Sequence, residues 1–361
     1  MDRRSFLRTS ALGGAAAATT TLAAPAYAQG NRTLTMVTSV PDGFAVFDDA
    51  AQLAIDYITA MTDGQLSFNK MPAGSLVGAF EVFDAVSAGQ ADVYHSAEYY
   101  FLNQHPAFAF MTSVPFGMTS QEMSNWYYRR GGQELHDNLS SLFNLKPLMC
   151  GMTAMQPGGW FNTEINSADD LQGLRFRMPG QGGQVLGRLG ASVQNIPGGE
   201  IYQALASGQI DGAEWIGPYA DERLGFQEVT NLYYTAGFHE PGSALHLSFN
   251  LEVWESLTAQ QQQIVKVAAE AAHAQNTALS LAENGAALAR LMSEGVTPRE
   301  FPDDVWDAFG RASAEVNAEN MDDPIYAEIA ESYFASMEES SAWYEIGDGE
   351  YMRQRNRVNA A

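Results

Sequence analysis

Cysteine occurs once, at Cys150, so the chain has neither a disulfide framework nor a thiolate cluster for a metal. The setting Pro147-Leu-Met-Cys-Gly-Met152 reads as a buried strand in which the thiol packs as a small apolar group. No stretch approaches the ~18 unbroken apolar residues of a membrane-spanning helix. Catalytic signatures are missing as well: there is no G-x-S-x-G elbow and no P-loop. The six histidines (His95, His105, His136, His239, His246 and His273) show no metal-ligand spacing. Gly180-Gln-Gly182 is only half of a dinucleotide loop and reads better as a helix entry. Basic residues are scarce, with Lys+Arg 19 against Asp+Glu 43 and a formal net charge of −24. Such a surface repels nucleic acid and anionic lipid, so an anionic ligand needs a cation placed locally. These absences weigh against an enzyme and leave binding as the class to examine.

The N-terminus reads as an export signal. Asp2-Arg-Arg-Ser-Phe-Leu-Arg8 has the twin-arginine pattern, Ala11 to Ala24 is a weakly apolar stretch, and Ala26-Tyr-Ala28 is a cleavage site. Residues 1–28 are therefore expected to be removed, giving a periplasmic protein. Lys+Arg then falls to 16 and Asp+Glu to 42, for a net charge of −26. About 330 residues exceed a usual single core and suit two lobes.

What is present is a phrase written twice. Glu81-Val-Phe-Asp-Ala-Val-Ser-Ala-Gly-Gln-Ala-Asp92 returns as Glu200-Ile-Tyr-Gln-Ala-Leu-Ala-Ser-Gly-Gln-Ile-Asp211, 119 positions later. Each copy predicts an amphipathic helix closed by Gly89 or Gly208, then a strand entered through Asp. Around them, strands over 33–39 and 65–71 with a helix over 44–61 make a βαβ opening. Residues 103–119 read as irregular strand and loop, 122–138 as one helix, and 145–153 as a strand. Further strands are expected over 174–178, 191–196, 212–216 and 246–250. Residues 257–293 read as a long helical region with Gly285 as a candidate break, and the acidic tail from Asp303 reads as helical. In open α/β sheets ligands sit at the carboxyl ends of strands.

Several residues at such ends carry binding chemistry. Arg175 and Arg177 share one face of the strand before Met178-Pro179-Gly180, and either guanidinium can hold a carboxylate by two parallel hydrogen bonds. Spacing does not choose between them. The second phrase runs out into Glu214-Trp215, a cation ligand and a wall or carbonyl donor, where the first runs out into Tyr94-His95. Gln156 follows the Cys150 strand, and Glu240 lies in the loop Phe238-His-Glu-Pro-Gly242.

On the phrase from Glu200 to Trp215, the strand Gly173-Leu-Arg-Phe-Arg-Met-Pro-Gly180 and the tail Ala342-Trp-Tyr-Glu-Ile-Gly-Asp-Gly-Glu-Tyr-Met-Arg-Gln-Arg-Asn356, the mature chain resembles a known family. It is similar to the periplasmic substrate-binding receptors of tripartite ATP-independent (TRAP) transporters, in the branch that takes 2-oxo and related hydroxy acids. The resemblance implies a non-enzymatic α/β protein of the type II-like periplasmic-binding kind. Its lobes would be 29–153 (with about 241–280) and 154–240 (with about 281–320), with a cleft, a lobe-spanning helix and a helical tail over 321–361.

Carried over by position, the resemblance makes Arg177 the carboxylate clamp. It makes Gln156, Glu214, Glu240 and the Trp215 carbonyl the ligands of a metal ion, and Tyr94, Tyr99 and Tyr100 an aromatic wall, with Gln156 and Trp215 also touching the ligand. The expected ligand is a small carboxylate of the pyruvate, 2-oxobutyrate or lactate class, delivered to the membrane permease. An all-oxygen set argues against zinc. Charge balance favours calcium, while the resemblance favours sodium. The tail helix is expected either to be exchanged in a homodimer or to pack on its own lobe. Two other classes remain open, namely an ABC-type periplasmic receptor for another solute and an exported metal-dependent enzyme acting on 2-oxo acids.

Overall fold

The computed structural model describes residues 30–359, so the expected signal segment lies outside the described residues. Two sheets form from the strands β1 (Arg32–Thr38), β2 (Leu66–Met71), β3 (Val93–Ser96), β4 (Leu145–Met152), β5 (Gly159–Phe161), β6 (Arg175–Arg177), β7 (Ser192–Gln194), β8 (Gly212–Ala213), β9 (Leu232–Tyr234), β10 (Ala244–Asn250) and β11 (Thr297–Arg299). The first has the order β2-β1-β3-β10-β4 and the second β11-β9-β5-β8-β6-β7. In each, the strand after a repeated phrase lies parallel to an earlier strand: β3 beside β1, and β8 beside β6. The chain crosses to the second sheet after β4, returns in β10, and crosses again for β11.

The doubled phrase does the same mechanical work twice. Its helices, Val82–Ser87 and Gly198–Ala206, are followed by Gly89 at φ 73° and Gly208 at φ 70°, a left-handed turn that suits glycine. The closing aspartates then latch the neighbouring strand. Asp92 takes the Thr35 N–H on its carboxylate at 2.7 Å, and Asp211 takes the Arg175 N–H at 2.9 Å.

Three expectations on elements are corrected. Residues 103–119 contain a buried helix, Phe108–Thr112, because its five residues can all be enclosed beneath the first sheet. The single helix expected over 122–138 is two, Ser120–Arg129 and Gly132–Ser141, separated where Gly131 turns to φ 90°. Gly285 breaks nothing: the helix Ala259–Ser293 runs unbroken for 35 residues, or about 50 Å. A mid-helix glycine costs only about 1 kcal/mol. Anchors on both sides offset it. Asn276 binds the Val46 carbonyl (2.8 Å) and the Met152 N–H (2.9 Å) of the first lobe. Beyond, Asn284 accepts from the Tyr219 N–H (3.1 Å) and Arg290 pairs with Glu222 of the second. None of the described helices is long and apolar enough to cross a membrane.

The tail helix Pro324–Tyr344 packs on the first lobe, where Tyr333 accepts from the Met118 N–H (2.7 Å) and Ser332 accepts from the Trp126 indole (3.0 Å). Beyond it, Trp343, Ile346 and Tyr351 are exposed. Cys150 is enclosed as expected, and burial pushes its thiol up to about 12.

The first lobe also encloses ionisable groups. Glu98 opens the 3-10 turn Glu98–Phe101, and its carboxylate accepts from Tyr94 (2.8 Å) and Ser248 (3.0 Å). Burial, only partly offset by these donors, pushes Glu98 from 4.5 up to about 7. Burial pulls His95 from 6.5 down to about 4, although its ring pairs with the Cys150 carbonyl. A raised acid loses its stabilising contribution as pH climbs from 4.5 through 7, and a depressed histidine loses its own as pH falls from 6.5 toward 4. The ligand-free protein should therefore melt highest between these limits, near pH 4.5–6.5, and lower on both sides. A melting temperature that rises steadily from pH 4 to 8 would contradict this.

Candidate metal and carboxylate site

Arg175 and Arg177 alternate with Phe176 on β6, yet their fates differ because the strand leaves the surface as it runs. Arg175 stays exposed, and its guanidinium is taken by Asp211 and the Gly208 carbonyl. Arg177, at the cleft end, is 0% exposed. Its Nε donates to the Ile196 carbonyl (3.1 Å), and Nη1 donates to the Glu214 carbonyl (3.1 Å) and to the Glu214 carboxylate. The Trp215 ring lies 5.3 Å from the guanidinium carbon.

Glu214 and Trp215 follow β8 directly, so the second copy of the phrase delivers them to the cleft. Gln156 and Glu240 come from two of the three segments linking the sheets, those between β4 and β5 and between β9 and β10, and their backbones are tied by Gln156 N–H to Glu240 O (3.1 Å). The Gln156 amide donates to the Glu240 carboxylate at 2.6 Å, and Ser243 donates to the same oxygen. Tyr99 supplies a longer contact to it at 3.5 Å. Tyr100 stands edge-on to Tyr99, with ring centroids 4.8 Å apart.

Of the residues expected in the site, the structure brings together Arg177, Gln156, Glu214, Trp215, Glu240, Tyr99 and Tyr100. Tyr94 is not with them. It faces the interior of the first lobe, with its hydroxyl on Glu98 and its ring against Phe83 and Phe101, because a residue early on β3 points into the core before the chain reaches the cleft. His239 was not anticipated and belongs to the cluster: one ligand atom each from Glu214, His239 and Glu240 lie within 4.8 Å of one another, all buried. Its only sequence signal was its place beside Glu240. Phe44 and Phe47, which flank Trp215 at 6.0 and 5.8 Å, were likewise unread. They belong to the first lobe, so the indole is gripped across the cleft and the lobes are shut.

Electrostatically the site is unfinished. Burial pushes Glu214 up to about 7 in spite of Arg177, and burial together with the Glu214 charge pushes Glu240 up to about 7. Burial opposes the Arg177 charge, but Glu214, the two tyrosines and Glu240 outweigh it and raise its pKa. Two carboxylates face one guanidinium. Among the described residues, Arg177 Nη2, Gln156 Oε1, Glu214 Oε2 and both His239 ring nitrogens have no hydrogen-bond partner. Buried polar atoms left unpaired cost about 1–3 kcal/mol each, so such a set signals missing occupants. Free oxygens beside an excess negative charge fit a cation, and the free guanidinium nitrogen fits an anion.

The model of the bacterial extracellular solute-binding proteins of family 7 (DctP) matches residues 36–323. A monocarboxylate 2-oxoacid-binding periplasmic protein from Nostoc is 38% identical over 317 residues, 88% of this chain and 87% of that protein. A TRAP periplasmic solute-binding protein from Pseudoalteromonas atlantica, solved with sodium and pyruvate, is 36% identical, covers 90% of this chain and 99% of its own, and superposes with a TM-score of 0.87. A TRAP transporter solute-binding protein from Bordetella bronchiseptica is 31% identical, covering 92% and 99% with a TM-score of 0.89. That protein was solved as a mixed-occupancy dimer with calcium and picolinate in one site.

Proposed function

The chain belongs to the bacterial extracellular solute-binding proteins of family 7, the receptors of TRAP transporters, and from that premise we propose that it captures a small 2-oxo monocarboxylate together with a cation. It is an extracytoplasmic receptor that serves a membrane permease, and not an enzyme. The observation that carries the ligand assignment is the pairing, in one sealed site, of an unpartnered Arg177 nitrogen with unpartnered oxygens on Glu214 and Gln156. In this reading the ligand carboxylate lies on Arg177. The cation is held by Glu214, Glu240, Gln156 and the Trp215 carbonyl, and Tyr99 and Tyr100 wall the ligand. The cation supplies a positive charge that the carboxylate and an adjacent ligand oxygen can share.

The ligands of the two solved relatives support this choice. Pyruvate and picolinate share a carboxylate with a second donor atom on the neighbouring carbon, so each can close a five-membered chelate. Their ions, sodium and calcium, are both hard and oxygen-seeking. Sodium is the ion of the more identical structure, and calcium balances two glutamates and a ligand carboxylate better.

We also read the exposed Trp343, Ile346 and Tyr351 as a face for a second copy of this chain, a homodimer through the C-terminal helix. One preparation tests both readings. Calorimetry should give pyruvate binding that disappears in sodium-free, chelated buffer and returns with either ion, while light scattering should give a dimer that becomes monomeric when the chain stops at 341. Pyruvate bound equally without cations, or a monomeric full chain, would overturn the corresponding part.

A further inference from the structure

His239 is the member of the cluster that nothing so far explains. Its imidazole is 1% exposed, and neither nitrogen has a partner among the described residues. The ring is nonetheless closely fitted. A Cβ on Gly182 would stand 2.7 Å from the His239 Cβ, and one on Gly237 would stand 2.5 Å from Cε1, so only glycine leaves room on either side. Phe238, stacked on Phe309 at 3.9 Å, fixes the preceding residue. A ring held this way is built for a position, and the position faces Glu214.

The separation says what belongs between them. His239 Nε2 and Glu214 Oε2 are 3.6 Å apart, beyond the roughly 3.2 Å limit of a good hydrogen bond. Two donors that share one cation at about 2.0–2.4 Å lie about 3–4 Å from each other, which is the spacing observed. We propose that His239 is a nitrogen ligand to the cation held by Glu214 and Glu240, and that this mixed nitrogen and oxygen set binds a first-row divalent ion such as Co²⁺ or Mn²⁺ in preference to calcium. Imidazole adds little for a hard alkali or alkaline-earth ion and a good deal for a borderline one, so the same pocket without His239 would favour calcium or sodium. The inference rests on the metal and carboxylate reading of the site.

The test uses the full mature chain, stripped of metal, with each ion titrated alone. Wild-type protein should bind Co²⁺ with a visible d–d absorption band and at least about tenfold more tightly than Ca²⁺, and His239→Gln should lose at least about tenfold in Co²⁺ affinity while holding Ca²⁺ within about threefold. The absorption band reports ligation by the protein's own side chains, with no pyruvate or other solute present. Co²⁺ affinity unmoved by His239→Gln, equal losses for both ions, or a wild type without Co²⁺ preference would overturn the role of His239 and leave calcium binding standing. A wild type that binds neither ion would instead bring down the metal reading on which the inference stands.

Discussion

Replacing Arg177 by alanine is expected to weaken carboxylate binding by about two to three orders of magnitude, the effect of truncating one partner of a buried, hydrogen-bonded charge pair. The guanidinium is fully enclosed, and its Nη2 is the one nitrogen that Ile196 and Glu214 leave free, so among the side chains placed in the site it is Arg177 that can donate to the ligand carboxylate. The melting temperature should fall too, but by less than the removal of a buried ion-pair partner usually causes, because burial already holds Glu214 near 7 and the carboxyl can take a proton when Arg177 is gone. Arg177→Lys keeps the charge and loses the planar fork, so it should recover stability without recovering affinity. Calorimetric titration of each variant decides the matter. Binding by Arg177→Ala within tenfold of wild type would remove Arg177 from the ligand.

The second large effect is expected at Glu214. Glu214→Gln preserves the side-chain volume and an oxygen for Arg177 while deleting the charge that faces the cation, so metal affinity should drop by about 100-fold or more, and ligand affinity at limiting metal should drop with it. Arg177→Lys separates the two steps, since it should lose ligand while keeping metal. Titrating metal alone and then ligand in excess metal distinguishes them. If Glu214→Gln bound ligand normally at limiting metal, the coupling of ion and carboxylate would be wrong.

The parts of this protein that were readable in advance are the ones decided locally. Glycine and aspartate in the repeated phrase announced two helix ends and two strand entries, and both are present because the conformation involves near neighbours; that each aspartate also latches an adjacent strand was not legible. Strand parity could not separate Arg175 from Arg177, because what separates them is Asp211 capturing one and the cleft enclosing the other. Tyr94 matched the pattern of a cleft residue and proved to be a core residue, since which way a side chain on β3 points depends on the sheet around it. His239 shows the limit most clearly. Glu214, the carboxylate it faces, is 25 positions away with β9 between them, a distance at which no ligand spacing is visible.

Closure of the cleft has a consequence for traffic. With Arg177, Glu214, Gln156 and Glu240 each no more than 3% exposed, and Trp215 clasped between Phe44 and Phe47 of the opposite lobe, the shut form offers neither an entrance nor an exit. Every exchange must wait for the lobes to part. The dwell time of a passenger is then the waiting time of a domain motion, typically microseconds to milliseconds or longer, and does not shorten when more solute crowds outside. The protein is a courier that carries one sealed parcel at a time, and its schedule is set by whatever opens it.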